Sequence, residues 1–158
     1  MHFTRRLILV LALALLSLSA MVATASASTQ PASGTFTEQP MNIYDVRQSG
    51  GNTFLKFTRN VVLAGTYDGV GLSDERLVIH ADGSLNLQGT IDFVGTACGE
   101  PVHLIFNLVA RGSVVENVIV GSYTVIRGGD PATGIGRGNG KITGTLAGGV
   151  YSGRVHCD

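Results

Sequence analysis

The chain predicts an all-β fold: an eight-stranded antiparallel β-barrel, with a β-sandwich as the alternative. Three observations lead there. The 22 glycines all fall between Gly34 and Gly153, where they separate short runs rich in Val, Ile, Leu, Thr and Phe. Within those runs apolar and polar residues alternate with the period of two that turns one strand face to a core and the other to water. Beyond residue 27 no segment sustains the 3.6-residue apolar period of a helix. Many short antiparallel strands must hide their edges, and closing the sheet removes edges altogether. Eight strands are enough for a small barrel, filled by side chains or holding one ligand.

The N-terminal segment reads as an address rather than as structure. Met1–Arg6 is short and basic, Leu7–Ala20 is apolar, and Ala23-Thr24-Ala25 and Ala25-Ser26-Ala27 both fit a small-residue cleavage site. This is the pattern of a secretory signal peptide over residues 1–27, and the apolar run is short for a spanning helix. Residues 28–158 then form a single domain, secreted or periplasmic. That part carries nine Lys and Arg against eleven Asp and Glu, a net charge of −2, with no basic run. Nucleic acid and anionic membrane attract clustered cations, so neither is an expected partner.

The strands are expected in this order. Gly34–Glu38 opens the domain, and Thr53–Asp68 follows with a break near Arg59-Asn60. Arg76–His80 and Leu85–Thr96 flank Ala81-Asp82-Gly83-Ser84, where Asp-Gly suits the positive φ angles of a type I′ hairpin. Val102–Arg111 alternates Leu104, Phe106 and Leu108 with His103, Ile105 and Asn107, and Arg111-Gly112-Ser113 reads as a turn into Val114–Arg127. Val114–Ile126 is apolar on both faces, which suits a central strand or a subunit interface in a homo-oligomer. Lys141–Leu146 and Val150–His156, joined through Ala147-Gly148-Gly149, complete the set.

Cys98 and Cys157 are the only cysteines. Their spacing fits neither a Cys-x-x-Cys redox motif nor a zinc pattern. In an oxidising compartment the pair reads as a disulfide tying the C-terminal strand to the turn near Gly99; two separately buried thiols are the alternative.

Three stretches carry a family resemblance. They are Ser33-Gly34-Thr35-Phe36-Thr37, the hairpin from Val78 to Thr90, and the glycine-rich Gly128–Gly144 region followed by Tyr151-Ser152-Gly153-Arg154-Val155-His156. In this order the chain resembles uncharacterised bacterial proteins with an allene-oxide-cyclase-like barrel. The resemblance implies an eight-stranded antiparallel barrel. It does not carry cyclase activity or any catalytic residue over to this chain.

Candidate sites are few. Gly134-Ile135-Gly136-Arg137-Gly138-Asn139-Gly140 departs from the dinucleotide fingerprint at Asn139 and precedes no helix, so it reads as a loop or wide turn. His80, His103 and His156 read as polar-face histidines. A closed disulfide could bring the last two together, but a metal needs further ligands that the spacing does not supply, and no metal or cofactor is expected. There is no G-x-S-x-G elbow. Asp92 lies on a polar strand face. Glu116 stands among Val114, Val115, Val118, Ile119 and Val120, where burial would raise its pKa, with Arg111 across the turn as a partner. Arg111 and Glu116 are therefore the candidate ligand-binding pair; a strand-face ion pair between them, or an exposed Glu116, is the alternative. Two functions fit: a non-catalytic secreted barrel that binds a small apolar ligand or serves as a structural or interaction module, and an isomerase or cyclase acting on a hydrophobic substrate.

Overall fold

The computed structural model describes residues 28–128 and 134–157, so the expected signal peptide lies outside the described residues. Nine strands and no helix occur among the described residues. They are β1 (Thr29–Glu38), β2 (Asn42–Ser49), β3 (Asn52–Gly65), β4 (Tyr67–Ile79), β5 (Ser84–Ala97), β6 (Glu100–Ser113), β7 (Val118–Gly128), β8 (Gly138–Thr145) and β9 (Gly148–His156). Eight of them pair antiparallel in the cyclic order β1-β9-β8-β7-β6-β5-β4-β3, and β1 pairs with β3 to close the ring. The fold is the barrel, not the sandwich.

The ninth strand, β2, stands outside the ring. β1 and β2 lie end to end along one edge of β3. β1 takes the upper part from Gly34↔Gly65 to Glu38↔Val61, and β2 takes the lower part from Asn42↔Thr58 to Ser49↔Asn52. The two are separated at Gln39-Pro40-Met41, where Pro40 has no amide hydrogen to donate to a ladder. Gln39 N donates to Asn60 O at 2.9 Å across the break. β9 covers the other edge of β1 as far as Thr37↔Gly148 and goes no further, so the outer edge of β2 has no strand beside it.

Alternation sets the core as expected. Phe57, Val61 and Leu63, then Leu85, Leu87, Ile91 and Phe93, then Leu104, Phe106 and Leu108, then Tyr151 and Val155 are all buried in the barrel. Tyr67 is the hub: its ring meets Phe106 edge-on at 5.0 Å and also contacts Phe93, Tyr123 and Tyr151.

Several boundaries are corrected. β2 carries too little alternation to be read as a strand, and every one of its residues is exposed. The break expected at Arg59-Asn60 falls instead at Thr66, after Gly65 at φ 123°, and Arg59 sits mid-strand pointing inward. Arg76–His80 is only the end of β4. Its earlier inward positions are Gly69, Gly71, Ser73 and Glu75, whose small or polar side chains break the apolar signal. β6 continues through Arg111-Gly112-Ser113, and the turn lies at 114–117, with Asn117 at φ 51°. The Asp82-Gly83 hairpin forms, but Gly83 alone has positive φ, at 82°. Gly83 N donates to His80 O at 2.9 Å and His80 N to Ser84 O at 2.8 Å, which makes a type I turn followed by a left-handed glycine rather than type I′.

One side chain stands in for strand pairing inside the ring. Tyr151 Oη accepts from Tyr67 N at 2.9 Å and donates to Tyr67 O at 3.3 Å, tying β9 to the start of β4. Gly34 leaves room for it, since a Cβ there would collide with Tyr151 Oη and Ala64 O. Tyr151→Phe strands a buried amide, so we expect a loss of about 1–3 kcal/mol, read from the urea midpoint. An unchanged midpoint would contradict this role.

Candidate functional site

Cys98 and Cys157 are disulfide-bonded, with Cα atoms 5.5 Å apart. Cys98 lies in the β5–β6 turn at φ 58° beside Gly99 at φ 86°, and Cys157 directly follows β9. The bond closes one end of the barrel. Gly136, from the glycine-rich segment, crosses the same end: its N donates to His156 O at 2.8 Å, and its carbonyl accepts from Tyr67 Oη at 3.2 Å. Residues 129–133 lie outside the described residues, but 134–137 form a turn that caps the barrel, with no helix after it.

Arg111 and Glu116 form no ion pair with each other. Arg111 projects from β6 into solvent, and Glu116 is exposed in the 114–117 turn, where its amide donates to Ser113 Oγ at 3.2 Å. The surrounding valines do not bury it; Val115 is 79% exposed. A turn at the barrel end points its side chains outward whatever their polarity. His103 Nε2 meets Asp92 Oδ1 at 2.5 Å on the outer face, and His80 Nε2 meets Asn86 Nδ2 at 2.8 Å. Among the described residues no group of three His, Cys, Asp or Glu could hold a metal.

The chemically distinctive site is inside. Arg59 on β3 occupies an inward position between Phe57 and Val61, and its side chain is fully buried. Glu75 is inward on β4, and Glu38 is the last residue of β1 with its side chain 4% exposed. Arg59 clasps Glu75 bidentately, Nε to Oε1 at 3.0 Å and Nη2 to Oε2 at 2.8 Å. Arg59 Nη1 donates to Leu146 O at 2.8 Å and also contacts Glu38 Oε2, without hydrogen-bond alignment to the latter. The guanidinium lies over the Phe57 ring, 5.2 Å from its centroid. Gly89 on β5 makes room for the pair, since a Cβ there would stand 2.7 Å from Glu75 Cγ.

One cation thus faces two carboxyl groups. Burial pushes the Glu38 carboxyl from its ordinary 4.5 up to about 8; Arg59 pulls against this and the Glu75 charge adds to it. Near neutral pH the arrangement is an Arg59–Glu75 ion pair with a protonated Glu38 beside it. The unfolded chain releases the Glu38 proton above about pH 4.5 while the folded chain keeps it to about 8. Folding therefore gains from Glu38 at low pH, and that gain is lost as pH rises through this window. We expect Glu38→Gln to flatten the fall in stability between these pH values, measured by urea titrations across the range. An identical slope in the variant would contradict the assignment.

Glu38 also borders a cavity of about 40 Å³ on the barrel axis, walled by Phe36, Val61, Tyr67, Ile91, Tyr123 and Tyr151. Burial raises all three tyrosine pKa values, that of Tyr123 to about 12, so the phenols stay neutral donors. Tyr123 Oη is buried and has no hydrogen-bond partner among the described residues. A single water occupies about 30 Å³, whereas drug-sized ligands need about 300–1,000 Å³. The interior is nearly filled.

These features define a class: a disulfide-closed, eight-stranded antiparallel barrel with a packed aromatic interior and one buried charge cluster. No family model matches the chain, and neither does any curated protein. Its fold is similar to the crystal structure of a protein of unknown function from the DUF3224 family of Shewanella oneidensis MR-1. That likeness has a TM-score of 0.67 at 14% identity, over 83% of this chain and 98% of the other. The likeness shows the barrel alone.

Proposed function

We propose that the protein is an extracytoplasmic, non-catalytic barrel that works as a rigid interaction module rather than as a container. The observation that carries this reading is the cavity: at about 40 Å³ it leaves space for about one water, not for an apolar ligand of ordinary size. The Cys98–Cys157 bond suits an oxidising compartment and ties the end of β9 to the β5–β6 turn. The test is thermal unfolding in the presence of fatty acids, isoprenoids and small aromatics. A ligand that binds only the native state raises Tm with concentration. We expect no rise; a saturable rise would overturn the reading in favour of a ligand-binding barrel.

One observation favours a second reading, the isomerase or cyclase of a hydrophobic substrate suggested by the allene-oxide-cyclase-like resemblance. Glu38 combines a raised pKa with a position on the apolar cavity, which Tyr123, its hydroxyl unpaired among the described residues, also lines. A carboxyl poised near neutral pH is suited to proton transfer. Turnover of an unsaturated fatty-acid epoxide that disappears in Glu38→Gln would establish it.

A further inference from the structure

A closed barrel has no edges, so a ninth strand outside the ring creates one that the fold does not need. β2 is that strand: it is paired on one side with β3, unpaired on the other, and exposed along its whole length. We propose that β2 is the contact surface for a second copy of this chain, the two β2 strands pairing antiparallel about a two-fold axis at Val46. The proposal rests on the interaction-module reading and names its partner.

The inner face of β2 supplies the first argument. One cross-strand row runs Ala110, Leu87, Leu77, Leu55, Val46 through consecutive pairings from β6 to β2. Exposure climbs along it, from 4% and below at Ala110, Leu87 and Leu77, through half-buried Leu55, to 58% at Val46. A core row therefore ends in open water at the sheet edge. With Val46 facing Val46 of a second copy, the row continues into the equivalent row of that copy. Directly opposed apolar side chains are the unit of sheet stabilisation.

The outer face supplies the second, through charge. The same register sets Asp45 opposite Arg47 of the second copy, and Arg47 opposite its Asp45. Within one chain Asp45 already meets Lys56 at 3.2 Å, so in the pair each Asp45 would lie between two cations. Arg47 rests over the Phe54 ring at 4.8 Å, which holds its charge at the edge. A two-fold interface must be self-complementary, and Asp45-Val46-Arg47 is so about its central residue. The register shift between Ile43 and Asp45 lifts Tyr44 out of the ladder, and its hydroxyl donates to Asp74 Oδ1 at 2.7 Å. That bulge interrupts the flat edge on the N-terminal side and so helps fix the register.

Sedimentation equilibrium of the full protein, disulfide closed and purified without detergent, tests this with charge-reversed variants. The wild type is expected to dimerise. Asp45→Arg and Arg47→Asp each place like charges opposite one another twice, and each is expected to weaken association by at least about tenfold. The double variant Asp45→Arg/Arg47→Asp restores opposite charges and is expected to dimerise again. An equimolar mixture of the two single variants is expected to form a heterodimer. Circular dichroism melts confirm that each variant folds; both substituted positions, Asp45 and Arg47, are exposed, so folding should survive. A monomeric wild type overturns the proposal, and so does a dimer indifferent to either single reversal, which would place the contact on another face. Neither result bears on the cavity, whereas a saturable Tm rise with an apolar ligand overturns the module reading and leaves the dimer test standing.

Discussion

Replacing Arg59 by leucine is expected to destabilise the protein by about 3–5 kcal/mol, because it leaves buried carboxyl groups without their cation. Glu75 loses both hydrogen bonds of its bidentate clasp, and its side chain is 1% exposed, so water cannot take over. Leu146 O loses a donor as well. Urea unfolding near neutral pH measures the loss. The same physics predicts a rescue. A buried ion pair often gives no net stability over apolar residues of similar volume. The triple variant Glu38→Met, Arg59→Leu, Glu75→Leu should therefore recover most of the loss. A single Arg59→Leu that costs less than about 1 kcal/mol would mean that solvent reaches the cluster, since exposed ion pairs are worth that little.

Removing the disulfide, as Cys98→Ala with Cys157→Ala, is expected to cost about 4 kcal/mol by loop-closure entropy over its sequence separation of 59. The effect falls chiefly on the unfolded chain, which the bond restricts. The native barrel should keep its ring, because β9 is still paired with β1 and β8. Far-ultraviolet circular dichroism should therefore be unchanged while the urea midpoint falls. Loss of strand signal in native buffer would show instead that the bond is needed to close the barrel.

The fold was legible where burial and polarity agree. Leu85–Phe93 and Leu104–Leu108 alternate cleanly because one strand face is core and the other water. It was illegible where the inward face is not apolar. The first half of β4 carries Gly69, Gly71, Ser73 and Glu75 inward, since neighbouring backbone and bulky rings occupy that space; a Cβ on Gly69 would lie 3.1 Å from Phe93 Cζ. β2 is illegible because every residue of this strand outside the ring is exposed, so burial imposes no alternation on it.

The buried charges are hard to read from sequence for a related reason. Glu116 stands among apolar neighbours in sequence, but Val114 and Val115 share its exposed turn, while Val118, Ile119 and Val120 belong to β7. The buried charges were signalled by parity instead. Arg59 lies two residues from both Phe57 and Val61, Glu75 two from Leu77, and Glu38 two from Phe36, so each occupies the inward phase of its own strand. Reading charge at core-phase positions would have found all three. That they meet depends on pairing between β1, β3 and β4, which no local pattern encodes. The disulfide was legible because the expected compartment and the cysteine number left little else for the pair to do.

Native mass spectrometry of the protein, recovered from its producing cell without detergent, tests the packed-barrel account most directly. The account predicts the mass of the bare chain, reduced by the hydrogens lost in closing Cys98–Cys157, as a monomer or an integral multiple of it. An apolar molecule that co-purifies at one per chain and leaves only when the barrel unfolds would contradict it, and would show that the interior around Tyr67 and Tyr123 opens to hold a guest.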